Sequence, residues 1–237
     1  MNNQLSLFSF LTWKQLIILL FITVSGYCPA QENSEPLPMN SQYQPGDHEL
    51  FLMPTAYTME QGSGYFSNYE LVFLNLTFAP SSTTHIGTFF LFPITSTFLE
   101  SISFGVKQNY YRSDYFQSAL FGSYTVKNGF YMAGNVISAG GKSTSFHLGL
   151  AFAGETEEDN SIFLILLGGR FDLSNKLSGI VEYTNAKELF DEDFNGLLTF
   201  GFRFRGESTA WELAGVRPLA NTGDLWLIPF LKATFLF

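Results

Sequence analysis

Three histidines and a scatter of basic and acidic residues are the groups in this chain that could do chemistry. His48, His85 and His147 are its only imidazoles. His147 follows Ser143 and Ser145 closely enough to suggest a hydroxyl nucleophile with an imidazole base, the core of a lipid hydrolase. Such a site also needs a group that orients the base. Serines at alternate positions are ordinary on a polar strand face, so His147 is expected to fill space, and no catalytic residue is expected. Three separated histidines and the single cysteine, Cys28, give no metal-ligand spacing. Glu155, Glu157, Glu158 and Asp159, and then Glu188, Asp191, Glu192 and Asp193, could offer oxygen to Ca²⁺, but they lack a regular coordinating order. Solvated acidic loops are the expectation, with no metal. Phosphate-binding and dinucleotide fingerprints are absent, and no cofactor is expected.

The remaining charges matter through the elements that carry them. In Leu198–Arg205, Leu198, Phe200, Phe202 and Phe204 share one face, and Thr199, Gly201, Arg203 and Arg205 share the other. Residues two apart in a strand point the same way. Ser145–Phe152 repeats the pattern, with His147 on the polar face, and so does Ser101–Lys107, with Lys107 on it. A turn at Glu207-Ser208 would set Arg203 opposite Glu212, Phe204 opposite Trp211 and Phe202 opposite Leu213. A three-residue loop centred on Lys176 would set Arg170 opposite Glu182. Arg170, Glu182, Arg203 and Glu212 then form a charge ladder of alternating sign, with Lys107, Arg205 and Lys232 adding positive potential. Such charges are tolerable inside a membrane protein only when paired or wet. The ladder either balances charge within the wall or lines a path for a small polar solute.

Composition says which face is which. The chain is 46% hydrophobic and 17% aromatic but only 14% charged, against roughly 25% charged in an ordinary soluble domain. Only Leu16–Val24 approaches a helical membrane span, and it is too short for one. Apolar residues distributed over many short alternating segments fit a transmembrane β-barrel, with lipid outside and polar residues within. Twelve strands are expected, near 49–60, 66–78, 84–93, 98–109, 115–126, 130–138, 144–154, 161–171, 177–185, 196–205, 209–217 and 225–237, with 10–14 possible. Pro54, Pro93 and Pro229 interrupt three of them. The connections Ala79–Thr83, Gly140–Ser143, Leu173–Lys176 and Gly206–Ser208 are short. Gly154–Asn160 and Ala186–Asn195 are longer and acidic, as expected for periplasmic turns and outer loops. Val126–Gly129 is tight yet falls on the outer side of this count.

Residues 1–30 read as a signal peptide. Lys14 precedes the apolar run, and Cys28-Pro29-Ala30 offers a cleavage site. A retained anchor and a lipoprotein signal at Cys28 are the rivals. Cleavage would leave no cysteine, which excludes disulfides. It would also take the formal charge from −9 to −10, since Lys14 is the only charged residue in 1–30. That charge argues against nucleic acid as a partner. Residues 31–47, with Pro36, Pro38 and Pro45, read as a polar periplasmic linker, and 48–237 as the barrel.

Two resemblances bear on location. The last strand ends Leu231, Ala233, Phe235, Phe237 on one face, which resembles the assembly signal of bacterial outer-membrane barrels. Segment His48–Ile94 carries Phe51-Leu52-Met53-Pro54-Thr55-Ala56-Tyr57 and Gly62-Ser63-Gly64-Tyr65-Phe66-Ser67-Asn68-Tyr69. Arg170-Phe171-Asp172-Leu173-Ser174-Asn175-Lys176 and Val181-Glu182-Tyr183 follow. These motifs resemble a family of uncharacterised outer-membrane β-barrel proteins of Bacteroidetes-type bacteria, with Phe66-Ser67 a departure from its hairpin pattern. The resemblance implies fold and place, a Gram-negative outer membrane, and no active site. Expected partners are outer-membrane lipid, the barrel assembly machinery reached through Phe235 and Phe237, and a small polar solute. The expected function is a small channel or transporter. A closed structural or surface-interaction barrel is the alternative, and a lipid-modifying enzyme a remote third.

Overall fold

In the computed structural model, residues 43–92, 96–141, 143–156, 161–185, 195–219 and 227–237 are described. Twelve strands close into one antiparallel barrel: β1 (Gly64–Tyr69), β2 (Phe73–Ser81), β3 (Thr84–Leu91), β4 (Ser103–Arg112), β5 (Phe116–Thr125), β6 (Phe130–Gly140), β7 (Thr144–Glu155), β8 (Ser161–Ser174), β9 (Leu177–Thr184), β10 (Leu197–Arg205), β11 (Thr209–Pro218) and β12 (Ile228–Leu236). Each strand pairs with its neighbours in sequence, and β1 closes on β12 with Phe66 opposite Phe235. Closure leaves no open sheet edge, a condition that lipid imposes on strands.

The alternation sorts side chains as the sequence suggests. On β7, Phe146 and Phe152 are 66% and 54% exposed, while Ser145, His147, Ala151 and Ala153 are buried. On β10, Phe200, Phe202 and Phe204 face out, and Thr199, Arg203 and Arg205 are buried. Phe104, Ile86 and Leu213 continue the apolar belt around the barrel. Water would not sustain so continuous an apolar surface, and lipid does. This is a transmembrane barrel whose polar residues point inward.

The connections at 82–83, 113–115, 141–143, 175–176 and 206–208 gather at the end where β1 begins and β12 finishes. The longer ones, including 92–102, 185–196 and 219–227, join strands whose ends are at the other end. That asymmetry matches the expectation, and 126–129 sits at the long-loop end as expected.

Three strand assignments need correction: 98–109 begins in a 3-10 helix, Ser96–Ser101, with β4 starting only at Ser103, and the other two compensate. Residues 49–60 are not a wall strand: they lie inside the barrel. Residues 66–78 are not one strand: they contain the end of β1, a turn and the start of β2. Glu70 and Leu71 both have positive φ (54° and 62°), and the Val72 amide donates to the Tyr69 carbonyl. This is a type I′ turn, the hairpin geometry that asparagine and glycine normally supply. The β10–β11 register is as expected, with Arg203 opposite Glu212, Phe204 opposite Trp211 and Phe202 opposite Leu213. The β8–β9 register is not. Arg170 lies opposite Ile180, and Glu182 opposite Gly168, because the turn holds two residues, Asn175 and Lys176, with Ser174 opposite Leu177, and the ladder slips by one more between Asp172 and Ser174.

Candidate functional site

The site is the barrel lumen and the loop that fills it. Residues 43–63 precede β1, and polar groups from strands all around the wall hold them. A segment contacted from every side of a closed barrel lies within it. The loop doubles back on itself. The Thr55 amide donates to the His48 carbonyl and the Leu50 amide to the Met53 carbonyl, with Glu49 and Pro54 bridged across the hairpin. Leu50, Phe51, Met53, Ala56 and Met59 are buried. The apolar run that reads as a strand in the sequence is therefore the core of a plug. Its first residues, Tyr43–Asp47, fall within the stretch read as a linker. Residues 1–42, which include the stretch read as a signal peptide, lie outside the described residues.

Most of the wall contacts answer backbone groups that the hairpin leaves unpaired. At the tip, the amides of Phe51, Leu52 and Met53 donate to Glu182 Oε1 at 2.7, 3.0 and 3.0 Å. Three successive amides on one carboxylate form an anion nest. Below the tip, Lys107 Nζ ties both limbs, donating to the carbonyls of His48, Thr55 and Tyr57 at 3.0, 3.1 and 2.7 Å. Asn109 reaches the Ala56 carbonyl at 2.8 Å, and the Met59 amide donates to His85 Nε2 at 2.8 Å. The Ala56 amide donates to Ser138 Oγ, whose own partner is His147 Nδ1 at 2.7 Å; Ser145 Oγ lies 3.0 Å from the other ring nitrogen. His147 is thus a bracket between two wall serines and the plug.

The expected ladder divides into two clusters. Arg203, Glu212 and Lys232 are fully buried. Arg203 Nε pairs with Glu212 at 2.9 Å, and Lys232 with the other Glu212 oxygen at 3.0 Å. Arg203 Nη2 donates to the Glu49 and Leu50 carbonyls at 2.7 and 2.6 Å. Lys232 holds the Glu49 carboxylate at 3.0 Å and the Leu50 and Phe51 carbonyls. Tyr69 donates its hydroxyl to Glu49 at 2.6 Å. In the second cluster, Arg170 pairs with Asp47 at 2.7 Å, and Asp172 lies 3.3 Å from Arg205 and 3.7 Å from Arg170. Arg170 and Glu182 do not meet as a pair. Glu182 binds the plug instead, and Arg170 takes Asp47.

Two glycines shape the seat. Gly46 has φ +88°, and a Cβ there would press on the Arg203 guanidinium at 2.9 Å. Gly168 leaves the space that Leu50 and Met53 occupy. On the plug itself, burial pushes the His48 imidazole down to about 4, against the pull of Glu49. Burial acting alone would raise the Glu49 carboxyl, but Lys232 and His48 outweigh it and hold it well below the ordinary range.

Comparison with solved structures returns porins. A triple mutant of the Rhodopseudomonas blastica porin shares 12% identity, with a TM-score of 0.41, over 70% of this chain and 55% of that one. Another mutant of the same porin gives 12% and 0.41 over 81% and 67%. The chain therefore spans little more than half the length of most of these porins. No family model matches the chain, and no curated protein does.

What the arrangement can do is mechanical and electrostatic. The plug carries Asp47 and Glu49 into a wall rich in cations, and its backbone is fixed at both limbs and at the tip. Phe235 and Phe237 lie at the seam. Phe235 faces out beside Phe66, and Phe237 exchanges backbone hydrogen bonds with Gly64. Among the acidic loop residues, Glu155 ends β7; Glu157, Glu158, Asp159, Glu188, Asp191, Glu192 and Asp193 lie outside the described residues.

Proposed function

We propose that this protein is an outer-membrane barrel of the channel class, in a Gram-negative bacterium, held shut by its own loop at residues 43–63. The supporting observation is that polar side chains of β1, β3, β4, β6, β8, β9, β10 and β12 all bond that one loop. Eight-stranded barrels fill their interiors with wall side chains alone, whereas wider barrels leave a space that must be plugged or stay open. Here the space is occupied by a segment joined to the wall only by non-covalent contacts and by its continuation into β1. Small polar solutes are the expected cargo once the loop withdraws, and both its limbs lead to the short-turn, periplasmic end. Phe235 and Phe237, at the β1–β12 seam, support delivery by the barrel assembly machinery.

Planar bilayer recording tests this. The intact barrel is expected to be silent, and a barrel lacking residues 43–62 to give discrete conductance steps. Steady conduction by the intact barrel would mean that the loop is not a closure. Silence from a folded, loopless barrel would favour a closed structural barrel that works through its acidic outer connections.

A further inference from the structure

We propose that the lumen, once the loop withdraws, is selective for anions, and that its two wall clusters are binding sites for small carboxylates. This rests on the channel reading above. Asp47 and Glu49 of the loop already occupy these positions as built-in carboxylate ligands. The first site is Arg170 with Arg205, whose guanidinium nitrogens lie 2.7 and 3.8 Å from Asp47 Oδ1. The second is Lys232 with Tyr69, whose ammonium and hydroxyl lie 3.0 and 2.6 Å from Glu49 Oε1. All four donors belong to the wall, so they remain when the loop leaves.

Wall carboxylates keep these cations in place. Asp172 lies against Arg170 and Arg205, and Glu212 against Arg203 and Lys232. Neither acid neutralises its cluster: each faces two cations. Lys107 and Arg112 add further positive charge where they grip the loop, at the Tyr57 carbonyl and the Thr58 hydroxyl. Against these six cations the same wall sets, among the described residues, three buried or half-buried carboxylates, Asp172, Glu182 and Glu212. The loop's Asp47 and Glu49 offset most of that excess. Withdrawal therefore exposes an excess of positive charge in a confined, low-dielectric passage, where it acts strongly on a passing ion.

Reversal potentials in a KCl gradient test the selectivity, recorded at high salt so that the acidic outer connections are screened. The barrel lacking residues 43–62 is expected to favour chloride over potassium several-fold, and Arg170→Gln with Arg205→Gln to bring that ratio toward one. Cation-selective or unselective steps would overturn the anion site while leaving the channel reading intact. A silent folded barrel would overturn the channel reading instead. The full-length Asp47→Ala, Glu49→Ala protein decides the anion site in that case, and also if the loopless barrel fails to fold. Acetate should raise its thermal midpoint saturably, acetamide should not, and Arg170→Gln with Arg205→Gln should reduce the rise. An acetate effect no larger than that of acetamide would overturn the site.

Discussion

Leu50 of the plug fills the place where Gly168 of β8 has no side chain, with Met53 against the same spot. The seat for the loop is thus cut into the wall by the absence of one Cβ. Gly168 lies opposite Glu182, so the notch adjoins the carboxylate that grips the tip. Gly168→Val should force Leu50 out of its notch. Overpacking of this kind costs about 1–3 kcal/mol, which urea unfolding in micelles would read as a lowered midpoint. Conductance steps should appear in a barrel that is still folded. An unchanged midpoint with a silent barrel would show that the notch does not hold the loop.

Glu182 takes three amides from consecutive residues and is itself buried. Hydrogen bonds to a charged group contribute about 1.5–3 kcal/mol each, and donors left unpaired in a dry site cost about as much. Glu182→Ala should therefore release the tip before it harms the wall, whose ladder bonds are backbone to backbone. Hydrogen exchange at Phe51, Leu52 and Met53 should accelerate at least ten-fold, with little change at the amides of β9. Equal acceleration in both places would mean that Glu182 supports the wall rather than the plug.

Acid should loosen the plug. His48 is seated neutral, with Tyr43 Oη 2.8 Å from Nδ1, Glu49 2.9 Å from Nε2 and the Tyr65 ring stacked at 3.6 Å; Lys107 and Lys232 add charge nearby. Withdrawn, it would take up a proton near 6.5; seated, it resists protonation down to about 4. Acidification from 6.5 to 4 therefore favours the withdrawn loop, by about 1.4 kcal/mol per pH unit across that window. Glu49, depressed in the seated state, acts in the same direction: its contribution is full above the ordinary carboxylate value and is lost as pH falls further. Bilayer openings or loop exchange should rise across this range, and His48→Gln should flatten the upper part of the profile. A wild-type profile flat between pH 7 and 4 would contradict the seated, neutral histidine.

Much of the wall was legible because lipid and lumen impose a two-residue period. Phe200, Phe202 and Phe204 against Arg203 and Arg205 could be read directly, and the Glu207-Ser208 turn carried the register to Glu212. The plug was not legible as a plug. Leu50–Met53 is apolar because it is buried inside the barrel, and a short apolar run has the same composition as a buried strand. Pro54 was the one local sign against a strand. The Arg170–Glu182 pairing failed for a different reason. The turn is one residue shorter than a loop centred on Lys176, and the further slip between Asp172 and Ser174 goes with Asp172 turning toward Ser178 and Arg205, contacts made across strands that no local pattern contains. The charges placed on the polar faces from the sequence, such as Lys107, Arg203 and Lys232, are buried, but Arg112 and Asp172 were not among them, and their principal partner, the loop, could not be deduced from spacing.

The turn between β1 and β2 hid for a reason that can be tested. Glu70-Leu71 adopts a geometry that favours Asn-Gly, so the sequence shows no turn there. Leu71 is 73% exposed and has φ 62°, a conformation that costs a branched side chain about 1 kcal/mol or more relative to glycine. Glu70 is better left unchanged, since its carboxylate accepts the Leu231 amide across the barrel seam. Leu71→Gly alone should therefore stabilise the barrel by roughly 0.5 kcal/mol, the relief of strain exceeding the added freedom of the unfolded chain. The measurement is the urea midpoint of the refolded protein in micelles, compared with refolding into vesicles. A gain in both would assign the turn to backbone strain. A loss confined to vesicles would show that Leu71 is held by lipid and that the strained turn is kept because it presents that side chain to the membrane.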